Sequence, residues 1–176
     1  MSKLNHLAGA TMLLLALSGC GVWQATSDGT ANAYHAMTDW RVKEVNIDVN
    51  ASADLNSDAS GHANSVAVRV YQLKDRKRFD SASFSDLARR DQSVLAPDVQ
   101  ASVAAVVNPG ASVSVSQPMQ KETRFIAIAA FYRNANQTGA WKQVVAARKL
   151  PDEGPLKLTL ADGKLTLADE AKAGKK

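Results

Sequence analysis

The chain has 176 residues, 45% of them hydrophobic and 22% charged, and a formal net charge of +4. Its single cysteine excludes a disulfide framework, and three histidines (His6, His35 and His62) are too few and too scattered for a metal site. The mild charge and the absence of basic–aromatic interleaving argue against nucleic-acid binding, and no glycine-rich phosphate loop, GxSxG or HExxH motif occurs.

Lys3 gives a positive start, Leu7 to Leu17 an apolar run, and Ser18-Gly19 small residues in front of Cys20. That order is the order of an export signal, and the run is well short of the ~20 apolar residues that cross a bilayer. Leu17-Ser18-Gly19-Cys20 resembles the lipobox of bacterial lipoproteins, whose cysteine receives a diacylglycerol before the preceding peptide is removed. The residue types suit the chemistry, because a thiolate is a strong nucleophile and small neighbours admit the backbone to a protease cleft. The resemblance implies that residues 1–19 are a signal peptide and that Cys20 carries the lipid. Gly21 stands where an aspartate tends to retain such proteins at the inner membrane, so the outer membrane is expected. Each buried acyl methylene contributes about 0.8 kcal/mol, which makes a multiply acylated Cys20 an effectively permanent anchor.

Residues 20–40 are small and polar and read as a flexible lipidated tether, with a short helix near Ala31 to Trp40. At about 3.3 Å per extended residue it reaches roughly 60 Å. Trp23 suits the headgroup level or an exposed position in the linker. A folded domain is expected over 41–167. Val45, Ile47, Val49, Ala51 and Leu55 alternate with polar residues and predict a half-buried strand. The turn formers Asn56-Ser57-Asp58-Ala59-Ser60-Gly61-His62-Ala63-Asn64 follow, and a second strand covers Ser65 to Leu73.

Within about 75–97 the period becomes helical, and Asp80 or Ser81 is placed to cap a helix running to Arg90. Strand patterns return at Val99 to Val107, after the turn Asn108-Pro109-Gly110 with Val113 and Val115, at Arg124 to Tyr132, at Trp141 to Leu150, and at Leu156 to Leu160 with Leu165 to Leu167 around Asp162-Gly163. The unbroken apolar run Phe125 to Phe131 predicts a central strand buried on both faces or lying beneath the insertion. Short strands separated by turn clusters argue for a mainly β protein, an antiparallel β-sandwich with a small helical insertion. Residues 168–176 are charged and small and read as a flexible tail.

In this order, the lipobox, linker, Asn-rich loop, Ser65 to Leu73 (SVAVRVYQL), Phe79 to Leu87 (FDSASFSDL), Asn108-Pro109-Gly110 and Arg124 to Arg133 (RFIAIAAFYR) resemble the TssJ (SciN-type) outer-membrane lipoproteins of type VI secretion systems. The resemblance covers most of the mature chain. It departs at Ser57 and Asn64, where proline-containing steps are frequent. It implies a transthyretin-like β-sandwich without enzymatic activity, cofactor or metal. It further implies a lipoprotein on the periplasmic face of the outer membrane that binds the periplasmic C-terminal domain of the inner-membrane protein TssM, with TssL an indirect partner. The contact is expected in the loop Asn56, Ser57, Asp58, Ala59, Ser60, Gly61, His62, Ala63 and Asn64.

Lys74, Arg76, Lys77, Arg78, Arg89 and Arg90 form a basic cluster at the insertion, suited to an acidic surface, membrane phosphates or simple solvation. Asp75, Asp80, Asp86 and Asp91 show no paired arrangement of the kind that glycoside hydrolysis needs. The alternative reading is a lipid-anchored carrier or inhibitor module for a small ligand or a wall enzyme, since fold does not fix function. A lipid-anchored hydrolase is a third, weaker alternative.

Overall fold

A computed structural model of the chain describes residues 44–134 and 140–168. The alternating segments form β1 (Glu44–Ala51), β2 (Val66–Leu73), β3 (Val99–Val107), β4 (Ser112–Pro118), β5 (Phe125–Phe131), β6 (Lys142–Ala146), β7 (Leu156–Ala161) and β8 (Lys164–Leu167). One sheet has the order β4-β1-β7-β8 and the other β3-β2-β5-β6, which bears out the expected sandwich. All pairings are antiparallel except β1 with β7, which run parallel with Ile47 opposite Leu156 and Ala51 opposite Leu160. A parallel pair needs a long crossover, and here the chain that builds the second sheet supplies it. The predicted first strand stops at Ala51, and Leu55 is buried from a turn rather than from the ladder.

The first sheet has one wet face. Val45, Ile47 and Val49 of β1 and Leu156, Leu158 and Leu160 of β7 point into the core. On the outer face the Ser112 and Ser114 hydroxyls donate to Asn50 and Asp48 across the β1–β4 pair, each at 2.6 Å. This is the alternation that a solvated sheet face requires.

The second sheet is covered on both faces along β5, where Ile126, Ala127, Ile128, Ala129 and Ala130 are all fully buried. Its register with β2 sorts them. Ile126, Ile128 and Ala130 lie opposite Gln72, Val70 and Val68 on the side facing the first sheet. Ala127 and Ala129 lie opposite Tyr71 and Arg69 on the side beneath the insertion. Alanines on that side leave room for the larger buried side chains Tyr71, Phe79, Leu87 and Leu95.

The insertion is two helices, α1 (Lys77–Ser81) and α2 (Phe84–Leu95), not the single helix capped by Asp80 or Ser81. The competing signal is a capping box. Ser83 Oγ accepts from the Asp86 amide, and the Asp86 carboxylate accepts from the Ser83 amide, both at 3.2 Å. Asp80 sits inside α1 and takes the Arg76 guanidinium through two bonds of 2.5 and 3.2 Å. Helix α2 kinks at Arg90 (φ −146°, ψ 31°). Just before the kink, Arg69 donates to the Leu87 carbonyl at 2.8 Å, and it also pairs with Asp91 at 3.1 Å. Asp91 also accepts from the Tyr71 hydroxyl at 2.9 Å. Burial, and then this carboxylate, push the phenol well above its ordinary value, so it stays a donor.

Two polar side chains, the half-buried Lys142 and the fully buried Gln72, fasten the layers. Lys142 of β6 donates to the carbonyls of Phe79, Asp80 and Ala82 at 3.0, 2.7 and 3.0 Å, collecting acceptors that the end of α1 leaves unpaired. Burial pushes its ammonium down, with Asp80 acting in the opposite direction. Gln72 is fully buried between the sheets. It donates to the Pro118 carbonyl at 2.9 Å and accepts from the Gln120 amide at 2.7 Å and the Thr123 hydroxyl at 2.9 Å. Trp141, predicted as core, is 8% exposed and meets Phe84 edge-on at 5.2 Å, and Phe84 in turn meets the half-buried Phe131 at 5.6 Å.

Phe79→Ala is expected to destabilise the domain by about 3–5 kcal/mol in urea unfolding. A loss below about 1 kcal/mol would make the insertion an appendage instead of a core layer. Gln72→Leu removes the acceptor of the Gln120 amide and the Thr123 hydroxyl and one of two donors to the Pro118 carbonyl, which keeps Gln120 Nε2, so a loss of about 1–3 kcal/mol is expected. A neutral Gln72→Leu in the same assay would contradict the fastening role.

Candidate functional site

The loop after β1 is held at both ends before it is shaped in the middle. The Ser52 amide donates to the Leu160 carbonyl and the Gly110 amide to the Ser52 carbonyl, both at 2.9 Å. Leu55 then plugs into the core, so the turn-former cluster has an apolar anchor directly before it. Asn56 follows with φ +51°, a left-handed conformation that asparagine tolerates better than other side chains. Its side chain donates to the Ser65 carbonyl at 3.2 Å and accepts from the Arg133 amide at 2.9 Å.

Asp58 organises the tip. One carboxylate oxygen accepts from the Ser60 and His62 amides at 2.9 Å each, while its own amide donates to the His62 carbonyl at 3.0 Å. The His62 amide is the largest cause holding this carboxyl below its ordinary 3.8. Gly61 closes the turn at φ +83°, where a side chain would be strained. The Asn64 amide returns to the Leu55 carbonyl at 2.9 Å, and its side chain donates to the His62 carbonyl at 2.8 Å. Ser57 Oγ donates to the Asp54 carbonyl at 2.8 Å, and Ser65 Oγ to Asn108 at 2.7 Å.

The nine predicted positions thus divide by role. Asn56, Asp58 and Asn64 are half-buried and build the loop, whereas Ser57, Ala59, Ser60, Gly61, His62 and Ala63 are exposed. His62 presents 79% of its side chain to solvent, with Nδ1 3.5 Å from Asp58. Beside the loop is a shallow cleft of about 270 Å³ lined by Asp54, Asn56, Ser57, Tyr132, Asn134, Asp162 and Gly163. Asp162-Gly163, expected as a hairpin turn, is also a neighbour of the loop, which its local sequence does not signal. That proximity comes from the parallel β1–β7 pairing, for which a local pattern carries no signal. Leu17, Ser18, Gly19 and Cys20, the tether over 20–40, Trp23 and residues 169–176 of the tail lie outside the described residues.

The basic cluster at the insertion is largely neutralised within the fold. Arg78 pairs with Asp98 at 3.3 Å, Arg90 with Asp86 at 2.7 Å, Arg76 with Asp80, and Lys74 with Glu122. Among the described residues no group of three or more His, Cys, Asp or Glu side chains could hold a metal ion.

Residues 43–163 match the family model described as type VI secretion lipoprotein, VasD, EvfM, TssJ. A chain in a solved structure described as a type VI membrane complex is 33% identical, with TM-score 0.67, covering 72% of this chain and 98% of its own. A chain in a structure described as the T6SS protein TssM C-terminal domain from EAEC is 31% identical, with TM-score 0.63 and the same coverages. The T6SS lipoprotein TssJ1 from Pseudomonas aeruginosa is 26% identical, with TM-score 0.63, covering 72% of this chain and 95% of its own. A search of curated protein sequences found no match. With more than half its length matched by one family model and near-complete coverage of relatives above 30% identity, the chain belongs to the TssJ-type family of type VI secretion lipoproteins.

Proposed function

We propose that this lipoprotein is held in the outer membrane by acylated Cys20 and anchors the type VI secretion trans-envelope complex by binding the periplasmic C-terminal domain of TssM. The observation that carries the reading is the relative found in a structure described as that TssM domain, matched over 98% of its length. The loop at 56–64 is the contact. Its shape is fixed by Asn56, Asp58 and Asn64 before any partner arrives, so little ordering entropy opposes docking. The exposed Ser57, Ser60 and His62 then offer donors and acceptors on a rigid frame. Anchoring also raises the effective concentration of the domain for any partner crossing the periplasm.

Cys20→Ser is expected to give a folded protein that no longer sediments with outer membranes after a high-salt wash. Retention of that variant in the washed membrane fraction would overturn the anchor. For the partner, interferometry on residues 21–176 should show saturable binding to the purified TssM C-terminal domain. Replacing Ser57 to His62 by a Gly/Ser segment should weaken that binding at least about ten-fold while the thermal midpoint stays within a few degrees. Asp58→Asn keeps the oxygen that accepts both loop amides and should bind far better than Asp58→Ala. Undiminished affinity in the Gly/Ser variant would place the interface elsewhere on the domain.

A further inference from the structure

The end of the sandwich at which β1 begins carries a mixture of charges, among them three exposed cations outside its ion pairs. Strand β1 begins at Glu44, whose register partner is Pro118. The Pro118 carbonyl accepts from Gln72, and the neighbouring Leu73 carbonyl accepts from the Arg124 amide at 2.9 Å. The Arg124 carbonyl accepts in turn from the Ala147 amide at 2.8 Å. These bonds bring Arg124 and the 3-10 turn Ala147–Lys149 to the end of the domain from which the chain runs back towards Cys20. The 56–64 loop lies at the opposite end, where the Ala51 amide meets Ala111 and the Arg133 amide meets Asn56.

Arg148 and Lys149 are exposed and make no ion pair among the described residues, and the exposed Arg124 makes none either, although the field of the nearby Glu122, itself paired with Lys74, reaches it. Arg124 and Arg148 flank a shallow cleft floored by Phe125, Ala146 and Ala147. The Arg76 guanidinium lies 6.0 Å from the Phe125 ring centre, so a third cation borders the same ground, with Asp80 as its partner. By contrast, Asp54, Asp58 and Asp162 carry acidic charge at the loop end.

We propose that this end of the domain rests on anionic phospholipid headgroups of the membrane in which the Cys20 lipid is held. The proposal relies on the anchor reading for its geometry. Guanidinium groups match phosphate oxygens through paired donors, and an apolar floor between them suits the boundary below the headgroups. With Cys20 anchored, residues 20–43 would keep this end within some tens of ångströms of the surface and raise the occupancy of a contact that the domain also makes without its lipid. Its consequence is orientation: this end faces the membrane and the 56–64 loop faces away from it, into the periplasm.

The test uses the mature chain from residue 20 with Cys20→Ser, which carries no acyl chain. It is sedimented with phosphatidylcholine vesicles, with and without about 30% phosphatidylglycerol, at about 50 mM salt. Binding to the anionic vesicles alone, released by about 0.5 M salt, is the expected result. Adding Arg124→Glu and Arg148→Glu should lower that partitioning at least about twenty-fold, given about five-fold per basic side chain. Arg124→Gln with Arg148→Gln replaces that pair if charge reversal lowers the unfolding midpoint. No binding to anionic vesicles at low salt, or undiminished binding by the double variant, overturns the proposal and leaves these arginines to an acidic protein surface. Because the protein tested carries no lipid, either failure leaves the anchor reading intact, and that reading stands or falls on Cys20→Ser fractionation.

Discussion

The architecture depends on a strand that has no polar side. From Phe125 to Phe131 no side chain offers a group that water would solvate, so β5 is stable only if both its faces are covered. The first sheet covers one face through Ile126 and Ile128, and the two helices cover the other. The helical insertion is therefore a second roof over the sheet. Its polar fittings follow from that position. A short helix such as α1 leaves carbonyls unpaired, and Lys142 reaches up from β6 to collect them. Arg69, Tyr71 and Asp91 form a closed set under α2, in which each polar atom named has a partner.

The first sheet does a different job. One solvated face makes its strands alternate cleanly, and its inner strand β1 carries the chain from Glu44 at one end of the sandwich to Ala51 at the other. There Leu55 and Asn56 hand the backbone from sheet to loop, one by burial and the other by a left-handed turn closed through Arg133. The loop's order comes mainly from short side-chain-to-backbone bonds within it and less from packing. Polar turn formers can therefore be rigid without an apolar core of their own.

What the sequence disclosed follows the same division. Strands with one wet face announce themselves by alternation, as Val45, Ile47 and Val49 do, and the two-sided burial of β5 was legible from the absence of alternation. The insertion was legible as a change of period, but its internal break was not. Asp80 and Ser81 are as good cap formers as Ser83, and only the reciprocal bond with Asp86 decides between them. The parallel β1–β7 pair was hidden because local patterns report hairpins, whereas this pairing joins segments about a hundred residues apart in the chain. For that reason Asp162 was read as a turn and its place beside Asn56 was missed. The six-residue basic cluster was legible as composition but not as surface. Four of its members have acidic partners in the fold, and Arg124 and Arg148, which make no ion pair among the described residues, were not among them.

In the proposed role the domain would carry load, entering at Glu44 and leaving through the loop at the other end. The topology suits that path. β1 lies inside its sheet, antiparallel to β4 over Glu44–Asn50 and parallel to β7 over Ile47–Ala51. Hydrogen bonds between strands run across the strand direction, so a pull along β1 strains both ladders at once and does not open them one bond at a time. An edge strand, or a hairpin pulled from its open end, would unzip under a much smaller force. The side chains of Val45, Ile47 and Val49, seated in the core, add to the same resistance, because sliding by one residue would turn them all to the wet face. The long crossover that hid this pairing from a local reading thus puts β1 between two neighbours, where in the proposed role tension from the membrane would be shared.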